Sequence, residues 1–296
     1  MKNTQRIVER LNQYERLMRL DKPIGILLLL WPTLWALWIS SDGSPDMMVV
    51  WIFILGAVLM RSAGCVMNDL ADSGFDPHVA RTRDRPIAAG NVSKKEAMLL
   101  CVVLLGMSLS LVLCFKSFRM LALSVIAFLL AATYPLTKRF LSIPQACLGV
   151  ALGFGIPMAY AAHMNVFPRE CWYLLAVNVF WALAYDTEYA MADREDDLKI
   201  GIKTSAITFG RFDVSFVMSC YAIMFGLLIW AGGALRRGWL FYAGVGVAAA
   251  IAAYHFTLIR DRKPEKCFKA FLHNNWIGAS VFSGIALDYL RQSYFS

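Results

Sequence analysis

The chain has 296 residues, 58% of them hydrophobic and 17% charged, with a mean hydropathy of +0.54 and a formal net charge of +8. Soluble domains carry about 45–50% apolar and about 25% charged residues, so this composition excludes an ordinary water-soluble fold. A positive balance could serve nucleic acid, but the basic residues are laid out in a different pattern, and no nucleic-acid partner is expected.

The first twenty residues hold Lys2, Arg6, Arg10, Arg16 and Arg19 among polar groups, and residues 1–22 read as an amphipathic, cytoplasmic segment. No short apolar core with a small-residue cleavage site follows, so no removable signal peptide is expected. Nine apolar runs come next, at about 24–39, 48–67, 97–115, 120–136, 144–162, 171–190, 214–232, 239–259 and 275–290. A helix needs about 20 apolar residues to span a bilayer. Continuous rather than alternating apolarity predicts helices and not a barrel. An all-α membrane protein with nine transmembrane helices is therefore expected.

Lys and Arg orient this bundle. The N-terminus and the loops after the second, fourth, sixth and eighth runs hold 22 of them, and the opposite side holds 6. By the positive-inside rule the basic side is cytoplasmic, which puts the N-terminus inside and accounts for the +8 as topology. Arg61 is the remaining basic residue and falls inside the second run. A charge at membrane depth faces a cavity or a partner, so Arg61 is a candidate site residue.

Two acidic stretches lie at run ends on the cytoplasmic side, one in each four-helix half. The first reads Asn68-Asp69-Leu70-Ala71-Asp72-Ser73-Gly74-Phe75-Asp76. Asn68, Asp72 and Asp76 are spaced by four and share a helix face, with Arg61 seven residues before Asn68 on the same face. The second runs from Asp186 to Asp197; Asp186, Asp193 and Asp197 form a similar stripe, while Glu188, Glu195 and Asp196 lie on other faces and read as solvated. Oxygen-only donors select a hard cation, and Mg²⁺ typically takes one or two carboxylates with water and phosphate oxygens. Arg81, Arg83 and Arg85 follow the first stretch, and Lys199 and Lys203 the second. Carboxylates with nearby cations suit a metal-bridged diphosphate leaving group. The seven cysteines form no C-x-x-C pair and read as small buried hydrophobes. The four histidines are far apart in sequence and suggest no zinc site.

These stretches resemble the UbiA superfamily of intramembrane prenyltransferases. Asn68 to Asp76 matches the family's N-D-x-x-D-x-x-x-D motif, and Asp193 with Asp197 matches D-x-x-x-D. The likeness extends to Asp21-Lys22-Pro23-Ile24-Gly25, Trp31-Pro32, Arg81-Thr82, Arg85-Pro86-Ile87-Ala88-Ala89-Gly90 and Tyr134-Pro135-Leu136-Thr137-Lys138-Arg139. The lead segment, together with Tyr185-Asp186-Thr187-Glu188-Tyr189-Ala190-Met191, looks like the 4-hydroxybenzoate polyprenyltransferase branch.

The resemblance implies one catalytic domain over 1–296, with nine helices around a central cavity, in a bacterial inner membrane, its active site facing the cytoplasm. It implies Mg²⁺-dependent transfer from a polyprenyl diphosphate to 4-hydroxybenzoate, ortho to the hydroxyl, in ubiquinone synthesis. Asn68, Asp69, Asp72, Asp76, Asp193 and Asp197 would hold the metal. Arg81, Arg85, Lys199 and Lys203 would meet the diphosphate. Arg61 or Arg139 would meet the acceptor's carboxylate. The bilayer is the one further partner, and no obligatory protein partner is evident. Competing readings are a different aromatic or haem acceptor, and an ion-coupled transporter using the acids as ion sites.

Overall fold

The structure is a computed structural model that describes residues 2–74, 82–137, 140–201 and 203–295. Every regular element among them is a helix. They are α1 (Lys2–Leu17), α2 (Ile24–Ser40), α3 (Met47–Ala71), α4 (Lys94–Leu113), α5 (Phe118–Thr137), α6 (Pro144–Gly153), α7 (Gly155–His163), α8 (Arg169–Ala192), α9 (Arg194–Ile200), α10 (Ser205–Phe209), α11 (Asp213–Ala234), α12 (Trp239–Ile259) and α13 (Pro264–Phe295), with a 3₁₀ turn at Gly210–Phe212.

Each predicted apolar run falls on a helix. Five stretches among the described residues are long and apolar enough to cross a membrane: Met47–Ala71, Lys94–Leu113, Pro144–His163, Ser205–Ala234 and Trp239–Ile259. Only 22% to 39% of each is buried inside the protein. The remaining side chains, such as Leu99, Val102, Trp230 and Val247, point outward. In water they would form a large apolar patch; against hydrocarbon they are matched. Ile24–Ser40 and Phe118–Tyr134 are apolar but shorter. Helices α8 and α13 are long enough but carry polar side chains that turn inward: Asn178, Thr187 and Glu188 in α8, Asn274 and Asp288 in α13 are all buried.

The fifth run departs from expectation. It is broken at Phe154 into α6 and α7. Pro157 has no N–H to give the Gly153 carbonyl four residues back, so the regular ladder lapses there.

The chain folds as two compact units, Met1–Leu27 with Trp51–Lys116, and Leu28–Val50 with Ser117–Ser296. In the first, Leu17, Ala63, Val66, Ile87, Val92 and Cys101 share a core that joins the end of α1, the second half of α3, the 82–92 loop and the start of α4. Ser93 caps α4 by accepting from the Glu96 N–H at 3.2 Å. The Glu96 carboxylate turns instead to Arg10 and Tyr14, which fastens α1. This packing fixes where α3 ends, and α3 carries the first acidic motif.

In the second unit α8 packs against α6, α11 and α13. Trp35 stacks on Trp181 at 5.3 Å, and the Trp35 indole donates to the Gly278 carbonyl at 3.1 Å. Helices α12 and α13 approach closely because Gly244 faces Gly284. A methyl on Gly244 would lie 2.7 Å from the Gly284 Cα, so only small residues fit.

Candidate active site

Of the first motif, residues 68–71 form the last turn of α3 and residues 72–74 the turn after it. The Asn68 amide donates to Asp72 Oδ2 at 2.9 Å, as four-residue spacing predicts, and both residues are half-buried. Asp69 points elsewhere. It is 1% exposed, and its carboxylate accepts from Arg19 at 2.9 and 3.2 Å and from Arg85 at 3.1 Å. Buried charge is tolerated only when paired. The structure thus places Asp69, an expected metal ligand, and Arg85, an expected diphosphate contact, against each other. Asp76 and Arg81 lie outside the described residues.

Arg61 lies within α3, and thus within a candidate span, half-buried. It runs beside Gly25, where a Cβ would stand 2.4 Å from the Arg61 Nε. The glycine of the Asp-Lys-Pro-Ile-Gly segment therefore has a local reason: it leaves room for a guanidinium. Arg139 lies outside the described residues.

The second motif sits at a helix junction. Asp193 ends α8 with φ −93° and ψ 2°, its N–H reaching the Tyr189 carbonyl at 3.2 Å. Its own carbonyl accepts from the Asp197 N–H at 3.0 Å in the first turn of α9. Both acids are half-buried and one turn apart. Lys199, an expected diphosphate contact, is exposed and pairs with Asp196 at 2.9 Å, which raises the Lys199 ammonium above its usual pKa. Lys203 donates to the Phe140 carbonyl at 3.4 Å.

Two readings of the surroundings need correction. Glu188 is not solvated; it is 0% exposed. Its carboxylate accepts from Tyr221 at 3.0 Å and from the Asn274 amide at 2.7 Å, and lies 3.2 Å from His255 Nδ1. The histidines are not all apart either. His255 Nε2 and His273 Nδ1, 18 residues distant in sequence, are 3.2 Å from each other. The protein interior offers no water to these buried groups, so they satisfy one another. The cysteine expectation holds in most places: all seven are free, and five are buried.

The donor chemistry fits a hard divalent ion. Asn68 and Asp72 in the first unit, and Asp193 and Asp197 in the second, each offer oxygen donors, and all four residues are half-buried. Among the described residues no three His, Cys, Asp or Glu side chains gather closely enough to hold a metal alone. An ion held at either pair would complete its shell with water and phosphate oxygens, as Mg²⁺ commonly does.

Residues 29–277 match the model of the UbiA prenyltransferase family. The chain is 64% identical over 289 residues to a 4-hydroxybenzoate octaprenyltransferase of Thiobacillus denitrificans, covering 97% of this chain and 98% of that one. It is 63% identical over 282 residues to one from Dechloromonas aromatica, covering 95% of each. Among solved structures it is similar to the apo UbiA homologue of Aeropyrum pernix K1, with TM-score 0.78 and 21% identity over 88% of this chain and 97% of that one. It is also similar to an Archaeoglobus fulgidus homologue bound to GPP and Mg²⁺, with TM-score 0.67 and 19% identity over 93% and 99%.

Proposed function

The chain belongs to the UbiA prenyltransferase family, and from that premise we propose that it is a 4-hydroxybenzoate polyprenyltransferase acting in ubiquinone synthesis. It transfers the prenyl group of a polyprenyl diphosphate to the ring carbon ortho to the hydroxyl. The observation that carries this is the 64% identity over 97% of the chain, a stretch that includes both acidic motifs. The family match at 29–277 runs through both compact units, which supports one catalytic domain over 1–296.

Mg²⁺, when bound, supplies charge neutralisation for the departing diphosphate. Asn68, Asp72, Asp76, Asp193 and Asp197 would hold it. Arg81, Arg85, Lys199 and Lys203 are the cations for diphosphate oxygens. Asp69 is better suited to fixing Arg85 than to ligating metal, because Arg19 and Arg85 already occupy its carboxylate. The allylic carbon–oxygen bond breaks, the phenol ring attacks that carbon, and a ring proton leaves to restore aromaticity. Water must be kept out, since it would capture the cation; a site recessed in the bilayer does so. Arg61 takes the acceptor's carboxylate, with Arg139 the alternative. Nine helices cross a bacterial inner membrane, with the N-terminus and both motifs on its cytoplasmic side; the Lys/Arg asymmetry supports this orientation.

Product analysis with labelled 4-hydroxybenzoate and a set of prenyl diphosphates tests the activity. Turnover of a different aromatic acid in its place would sink the acceptor assignment, and substrate flux without product would sink the enzyme. A milder variant tests Arg61. Gly25→Ala forces a methyl into the guanidinium, so the KM for 4-hydroxybenzoate should rise about tenfold, the value of one displaced charge-assisted contact. The KM for the prenyl diphosphate should stay nearly constant. Equal changes in both would remove Arg61 from the acceptor pocket.

A further inference from the structure

Glu188, Tyr221, His255 and Asn274 are buried inside the second unit, on α8, α11, α12 and α13 in turn. His273, one residue before Asn274, is half-exposed. Glu188 Oε2 accepts from the Asn274 amide at 2.7 Å. Its Oε1 accepts from the Tyr221 hydroxyl at 3.0 Å and stands 3.2 Å from His255 Nδ1. The Tyr221 oxygen is also 3.1 Å from His255 Nδ1. On the far side of the same imidazole, His255 Nε2 stands 3.2 Å from His273 Nδ1.

Counting protons narrows what these contacts require. His255 Nδ1 faces two oxygens, one of them a carboxylate, so it carries a proton. A contact between two ring nitrogens needs one proton between them. Either His273 donates to a bare His255 Nε2, or His255 donates with a second proton of its own. The first arrangement leaves the Glu188 charge unbalanced in a dry interior, which is the costly case. Among the described residues Glu188 makes its single salt-bridge contact with His255. The other titratable neighbours do not supply the missing charge. Cys267 of α13 is buried and free, Tyr254 of α12 packs its ring against His273 at 5.6 Å, and Lys269 is exposed one turn before His273. The second arrangement sets an imidazolium against a carboxylate and is neutral as a whole. Three donors converge on that carboxylate, the nearest at a length usual for charge-assisted bonds. They favour its ionised form and keep the proton on the ring.

We propose that a buried proton locks α8 to α11, α12 and α13. His255 carries both ring protons as the counter-ion of Glu188, and His273 accepts the second one and is the port through which it enters from the half-exposed edge. Glu188 precedes Asp193 on the same stretch of chain, so the lock holds the helix that leads into the second motif.

Nitrogen-15 histidine NMR of the full-length protein in detergent tests this at about pH 7.5, one unit above the ordinary histidine value of about 6.5, where a free imidazole is about 90% neutral. The His255 ring, assigned by the signals that His255→Gln removes, should show both nitrogens protonated. Glu188→Gln should return it to a neutral tautomer, because no charge is left to balance. A neutral His255 ring in the parent, in either tautomer, would overturn the proposal. His273→Gln keeps an acceptor and should leave His255 charged, whereas His273→Leu removes it and should leave His255 neutral. A charged ring in His273→Leu would overturn the role of His273 as the port. Denaturant unfolding gives an independent reading. His255→Gln should lower the folding equilibrium constant by roughly 10²-fold or more, since it leaves Glu188 charged and alone. Adding Glu188→Gln should recover at least about tenfold of that loss, the coupling of a charge pair. A network of neutral hydrogen bonds predicts the reverse: the second substitution would cost further stability, and that result would overturn the lock. Where His255→Gln alone does not fold, the double variant carries the same test, folding if the pair is ionic and failing if it is not.

Discussion

Replacing Asp72 or Asp193 by alanine should lower kcat/KM by roughly 10²- to 10³-fold, as loss of one electrostatic stabiliser of a leaving group does. Both residues are half-buried, and each is bonded within its motif by side chain or backbone, Asp72 to Asn68 and Asp193 to Asp197. Neither fills a packed interior, so the variants should still insert and retain their melting behaviour. The check is the initial rate of diphosphate release with both substrates, alongside thermal unfolding in detergent. Chelation with EDTA should silence the parent equally, and excess Mg²⁺ should restore the parent but neither variant. Near-normal rates in both variants would reject the assignment of these motifs to the diphosphate.

The second large effect concerns folding. Glu188→Ala should destabilise the protein by about 3 kcal/mol, because several buried polar groups lose their acceptor at once. Tyr221, Asn274 and His255 all meet that carboxylate, from three different helices. Asn274 also accepts from the Trp181 indole at 2.8 Å, so the disturbance reaches the Trp35–Trp181 stack. Glu188→Gln keeps one acceptor oxygen and should lose about 1 kcal/mol. Detergent-phase thermal or denaturant unfolding measures both. A Glu188→Ala variant within about 0.5 kcal/mol of the parent, the range of ordinary surface substitutions, would mean that the network does not tie α8 to its neighbours.

Much of the architecture was readable because hydrocarbon imposes a simple rule. Backbone groups must be satisfied locally, so long apolar runs become helical; the nine runs are helical, the fifth as two helices, and five stretches are long and apolar enough to span. Where α8 and α13 fall outside the five apolar spans, the cause is Glu188, Asn274 and Asp288, which the fold turns inward. Sequence spacing found the Asn68–Asp72 pair because partners one turn apart meet within a single helix. It misjudged Glu188 because spacing says which face a residue is on, not what that face meets. It missed Arg19 with Asp69, and Arg194 with Asp213, for a related reason. Those partners are 50 and 19 residues apart, and only packing brings them together. The one available signal was a lone acid, Asp213, opening an apolar helix.

By itself, then, the sequence determined the membrane setting, the helical class, the two oxygen-donor motifs and, through resemblance, the chemistry. These follow from composition, local periodicity and motif spacing, all short-range properties. The tertiary structure alone decided how the individual charges are used. Asp69 is taken by two arginines, Glu188 is buried in a four-helix network, Gly25 clears a path for Arg61, and Arg194 is drawn onto Asp213. An ionised side chain in a dry interior must find its counterpart wherever the chain brings one, and that counterpart is set by the fold rather than by neighbours in sequence.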